Sequence, residues 1–181
     1  MSAGNDAAEA MASFHGAKPT NDASLLAPAF ARAVAAAIAE CNDDTNQLAP
    51  KVYETYRSNE LQALYYQRGR SMKPPSVPVT NAQSNLFSWH GYGLAVDVIH
   101  RTKEWDVADA WFERVAEIFK KHGCKWGGDW KQRDLPHFQW GLCRASPSDR
   151  ARELLRSGGV LAVWEAVGAL TTADTSQGVH P

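Results

Sequence analysis

The sequence predicts an α+β fold, a small antiparallel sheet flanked by helices. Three observations lead there. Apolar residues recur at helical spacing in several stretches, as with Phe30, Val34 and Ile38, or Val107, Trp111, Phe112, Val115, Ile118 and Phe119. Between them lie short segments of strand character, at 51–57, around Leu94 and Val96, and at 136–141. These follow no regular βαβ order, which disfavours a doubly wound sheet.

Taken in order, residues 1–24 are rich in Ala, Asn, Asp, Ser and Gly without clear periodicity and are expected to be loosely ordered. Pro28 suits a first helical position, and the helix it opens should end near Cys41. After the strand at 51–57, Ser58 or Asn59 caps a helix running to about Gly69. Residues 71–85 contain Pro74, Pro75 and Pro78 and read as a loop, placed to line a groove. Gly91, Gly93 and Ala95 allow close backbone approach, so His90 enters from a loop and Asp97 from the half-buried strand that follows. Asp106 should cap the next helix, which Gly123 stops. Ser146 and Pro147 open another, Gly158 and Gly159 break it, and a last apolar helix through Leu161, Trp164 and Val167 precedes a polar tail. The expected division is a loose segment at 1–24, a catalytic domain at 25–145, and C-terminal helices packed on it with the tail at 146–181.

Composition narrows the function. At 181 residues and 44% hydrophobic, the chain can bury one domain core with ends left over. Lys plus Arg number 19 against 20 Asp plus Glu, a net charge of −1, so no bulk field recruits nucleic acid or an anionic membrane. No apolar run approaches the roughly 18 residues of a membrane span. The N-terminus shows no basic region followed by an apolar core, so no ordinary secretory signal is visible. A monomer made in a cytoplasm is expected. Cys41, Cys124 and Cys143 form no CxxC pair and fit reduced structural thiols. A zinc site from Cys124, Cys143 and His122 would lack closely spaced ligand doublets.

The chemistry concentrates in two segments, SWHGYGLAVD at 88–97 and DLPHFQ at 134–139. They offer two imidazoles and a carboxylate, His90, Asp97 and His137, which is the usual donor set of a catalytic zinc that keeps one position open. Asp134 stands close to the last histidine, with Asp129 as the alternative acid. The helical HExxH arrangement is absent. His15, His100, His122 and His180 stand alone and read as surface or core histidines.

Ser88, His90, Gly93, Ala95 and Asp97 match the S-x-H-x-x-G-x-A-x-D motif of the VanY-like zinc peptidases, which include D-Ala-D-Ala carboxypeptidases and phage L-alanyl-D-glutamate endopeptidases. Asp134 stands three positions before His137, as that family's acidic residue does. The WGGDW run at 126–130 resembles its endolysin branch, and Tyr56, Arg57, Ser58, Gln62, Leu64, Tyr65, Gly69 and Arg70 resemble its arginine-bearing strand and helix. The resemblance spans roughly residues 50–141. It implies the zinc DD-peptidase (hedgehog-like) fold and one Zn²⁺ on His90, Asp97 and His137. Asp134 would be general base and then acid, Arg57 a substrate or oxyanion contact, and Ser88 and Tyr92 substrate contacts, with Trp89, Trp126 and Trp130 as groove walls. The implied substrate is the stem peptide of bacterial peptidoglycan. Cleavage between L-Ala and D-Glu by a phage lysin is the first reading. D-Ala-D-Ala carboxypeptidase, an injected toxin and a zinc-retaining binding module are the alternatives.

Overall fold

In the computed structural model, which describes residues 2–170, five helices surround a four-stranded antiparallel sheet. Helix α1 (Ala3–Ser13) is capped by the Ser2 hydroxyl, which accepts from the Asn5 amide. It lays Gly4, Ala7 and Met11 against the body of the protein. The expectation of a loose 1–24 segment is therefore corrected. With alanines as its main apolar residues, α1 shows little large-residue periodicity, yet alanine is the best intrinsic helix former. Helix α2 (Pro28–Cys41) starts on its proline and buries Phe30, Val34, Ala37 and Cys41.

Strand β1 (Pro50–Glu54) is shorter than expected, because the register slips between Val52 and Glu54 and the chain leaves the ladder. Helix α3 (Asn59–Gln67) takes Ser58 as its cap, with the hydroxyl accepting from the Leu61 amide. Strand β2 (Ala95–His100) follows a 3-10 turn at Trp89–Tyr92. Helix α4 (Asp109–Lys121) begins beyond Asp106, which caps nothing, since residues 103–107 form tight turns of their own. Strands β3 (Cys124–Trp126) and β4 (His137–Trp140) complete the sheet, in the order β1-β2-β4-β3. Helix α5 (Asp149–Ala166) is interrupted at Gly159, whose φ of 68° breaks it into two arms. The polar tail and His180 lie outside the described residues.

The two faces of the sheet have different tasks. Val96 pairs with Phe138 across β2 and β4, and Phe138 stacks on Phe119 of α4 at 4.3 Å between ring centroids. That face is the apolar core. On the opposite face Asp97 pairs with His137, and Ala95 with Gln139. Strand β2 is buried on both faces rather than half-buried, as a central strand covered by helices and by the 3-10 turn must be. No described helix is long and apolar enough to cross a membrane.

Candidate metal centre and cavity

Gly93 explains how the chain turns from His90 to Asp97. It ends the 3-10 turn at φ 62°, and a Cβ there would lie 2.5 Å from the Leu25 carbonyl oxygen. Only glycine tolerates both conditions. His90 is thereby held on the turn, while Asp97 and His137 face each other from adjacent antiparallel strands. Gly127 plays the matching part for the second segment: a Cβ would meet Asp134 O at 2.5 Å, so the turn at 127–129 packs directly on the loop leading to His137.

Three donor atoms converge. His90 Nε2 lies 3.3 Å from Asp97 Oδ1 and 3.3 Å from His137 Nδ1, and His137 Nδ1 lies 3.6 Å from the same oxygen. A tetrahedral zinc with ligand bonds of about 2.0–2.1 Å requires donor separations of about 3.3–3.4 Å. The triangle fits. Each ring is also oriented for the task, since Thr55 O accepts from His90 Nδ1 at 2.8 Å and Gln139 Oε1 contacts His137 Nε2 at 3.2 Å. These partners place the protons on the outward nitrogens and turn the lone pairs inward. Gln139 is itself fixed by donating to Arg144 O at 2.6 Å. Among the described residues, these three form the one cluster of His, Cys, Asp and Glu side chains that could hold a metal ion.

The cluster opens into a cavity of about 1060 Å³ whose lining includes Arg57, Asp134, Trp130, Trp105, Ser88 and residues 78–82 of the proline-rich loop. Asp134 is solvent-reachable there. Desolvation, reinforced by the charge of Asp97, raises its pKa above the ordinary aspartate value. Asp97 behaves oppositely. Burial opposes its charge, but the adjacent His90, His137 and Arg57 hold it well below the usual carboxylate range. Asp129 points away, half exposed and ion-paired with Lys120 at 2.7 Å, so Asp134 is the acid that faces the metal cluster.

Arg57 reaches the cavity wall with all three nitrogens engaged. Nε and Nη2 grip Glu54 at 2.7 and 2.9 Å, Nη2 also donates to Asp97 Oδ2 at 3.1 Å, and Nη1 donates to Gln62 at 3.2 Å. Its guanidinium thus holds the Asp97 carboxylate while lining the cavity in which a substrate or oxyanion contact is expected of it. Tyr92 is corrected as a substrate contact: it is fully buried, its hydroxyl donates to Leu86 O at 2.9 Å, and its ring packs on Trp89. The 3-10 turn that presents His90 to the cavity sends Tyr92 into the core. Trp126 is also core, donating to Leu135 O, whereas Trp89 and Trp130 do line the cavity, Trp130 with its ring 5.0 Å from that of His137. His100 accepts from the Lys103 amide and His122 pairs with Glu40 at 2.7 Å, both away from the site.

Sequence reasoning missed Glu54, Thr55, Gln139 and Trp105. Gln139 alone left a usable signal, since it follows His137 by two residues on a strand and must share its face.

A family model described as D-alanyl-D-alanine carboxypeptidase matches residues 81–140, the stretch that holds His90, Asp97, Asp134 and His137. That segment is similar to the VanY-like peptidases. Peptidoglycan L-alanyl-D-glutamate endopeptidase CwlK of Bacillus subtilis (strain 168) is 35% identical over 101 residues, covering 49% of this chain. The chain spans 58% of that relative's length. The matched segment contributes the turn, β2, α4, β3 and β4, while Glu54 at the end of β1, Arg57 in the connection after it and Gln62 on α3 come from outside the match.

Proposed function

We propose that this chain is a zinc-dependent peptidase of the peptidoglycan stem, cutting between L-Ala and D-Glu. The observation that carries the reading is the triangle of donor atoms from His90, Asp97 and His137, set at zinc-ligand spacing in a cavity shared with Asp134. Likeness to an enzyme of that printed activity supports the choice of bond. So does the cavity, whose volume of about 1060 Å³ slightly exceeds the roughly 300–1,000 Å³ usual for small ligands, a size suited to a stretch of stem peptide.

Zinc on the three ligands would supply Lewis acidity, acidifying water from a pKa of about 16 toward 7 and polarising the scissile carbonyl. Asp134 accepts the proton released as water adds to the carbonyl carbon and returns it to the amine nitrogen as the C–N bond breaks. Trp130 and Trp89 wall the site beside the two histidines and limit water around them. Arg57 fixes Asp97. A pure binding module has no use for an acid in that position.

The expected site of action is the cell wall, reached by a phage lysin through a membrane lesion or by an injected toxin through a secretion apparatus. Digestion of purified sacculi followed by mass spectrometry tests the activity and the bond together. New amino groups on D-Glu, lost on adding a chelator, are expected. Free D-alanine as the main product would establish the carboxypeptidase instead, and intact sacculi would establish the binding module.

A further inference from the structure

Asp97 divides its two oxygens. Oδ1 faces His90 and His137, while Oδ2 accepts one hydrogen bond from Arg57 Nη2. An unrestrained guanidinium beside a carboxylate pairs with both oxygens, since its fork matches their spacing. That pairing would take Oδ1 away from the histidines. Here Glu54 prevents it by occupying the Nε and Nη2 edge of Arg57 with both of its own oxygens, at 2.7 and 2.9 Å. The remaining nitrogen donates to Gln62, which is fully buried and in turn donates to Ala82 O, at 2.7 Å, in the loop that walls the cavity. One Nη2 hydrogen is left for Asp97.

Glu54 is itself only 1% exposed. A buried ion pair of this kind is weak evidence for stability, because desolvation cancels much of its attraction. Its charge has another use. Glu54 neutralises Arg57, so that a dication approaching Oδ1 meets a carboxylate whose charge is not already spent on the guanidinium.

We propose that Glu54 is a positioning residue: through Arg57 it holds Asp97 as a one-oxygen ligand and keeps its charge available to the metal. The proposal rests on the zinc reading above. Zinc titration against a competing chelator, at a temperature where the metal-free protein is folded, tests it without reference to peptidase activity. Glu54→Gln should bind zinc about 10–100-fold more weakly, the usual cost of losing a partner one shell from the metal. Glu54→Asp, which restores the charge, should recover much of that loss. Should Glu54→Gln fail to fold, the double variant Glu54→Gln/Arg57→Met removes the buried pair together, and with no guanidinium left to hold Asp97 Oδ2 its zinc affinity should still fall below wild type. Wild-type affinity in the folded single or double variant, even with a lowered melting temperature, assigns Glu54 a purely structural role and overturns the proposal. A wild-type protein that binds no zinc overturns the metal reading and takes the proposal with it.

Discussion

His90 and His137 present different ring nitrogens, Nε2 and Nδ1, to one point. Each is committed by what the opposite nitrogen touches, so the two lone pairs converge only because Thr55 O and Gln139 Oε1 are in place. Two protein donors hold zinc poorly. His90→Ala and His137→Ala are therefore expected to fall from one bound zinc per chain to near none by metal analysis after dialysis, and full occupancy in either would remove that residue from the site. Asp134 contributes no donor to the cluster and should separate from it. Asp134→Asn should retain zinc and lose about 10²–10⁴-fold in turnover on sacculi, because an amide neither accepts nor returns the proton. Asp129→Asn, which loses only an exposed pair with Lys120, should leave turnover within about twofold. The reverse pattern would transfer the base to Asp129. The three clustered side chains and Asp134 were legible in the sequence as candidates because each stands in a local pattern of several residues. Glu54 was not, since its meaning depends on Arg57 meeting Asp97 from 40 residues away.

At the scale of elements, the periodic segments were the readable ones. The apolar stripe of α4 and the proline start of α2 stand where large side chains recur at helical spacing. Helix α1 escaped because Met11 is the one large apolar residue it buries. Tyr92 was misread for a related reason: at a tight turn neighbouring side chains diverge, so closeness in sequence to His90 said nothing about which way the phenol points. The motif's own glycine is the clearest case of sequence explained by backbone. Gly93 combines a left-handed φ with an approach to Leu25 O that admits no Cβ, and its carbonyl accepts from the Ala27 amide at 2.9 Å. Gly93→Ala should therefore cost about 1–3 kcal/mol from conformation alone, and more from the clash. Urea denaturation of the metal-free protein measures this. A change under about 0.5 kcal/mol would show that the contact between this turn and residues 25–27 yields easily.

Across the described residues, the sheet separates an apolar face from one that carries the candidate metal cluster, and the three cysteines are buried away from that cluster. Cys41, Cys124 and Cys143 are all buried free thiols, and burial pushes each up to about 12. In the unfolded chain they return to about 8.5. Below that value both states keep their protons and the thiols make stability independent of pH. Above it the unfolded state loses protons that the native state retains, so stability falls as pH rises from about 8.5 toward 12, by up to about 1.4 kcal/mol per thiol per pH unit. The urea midpoint should therefore drop between pH 8 and pH 10, and replacing Cys41 and Cys124 by Ala should flatten that slope even where it lowers the midpoint at pH 7. At pH 8 a thiol reagent should find no reactive cysteine in the native protein and three after denaturation. Rapid labelling of the native state would mean that the core opens around α2 or β3 far more often than its packing allows, and a slope unchanged by the substitutions would assign the alkaline loss to other groups.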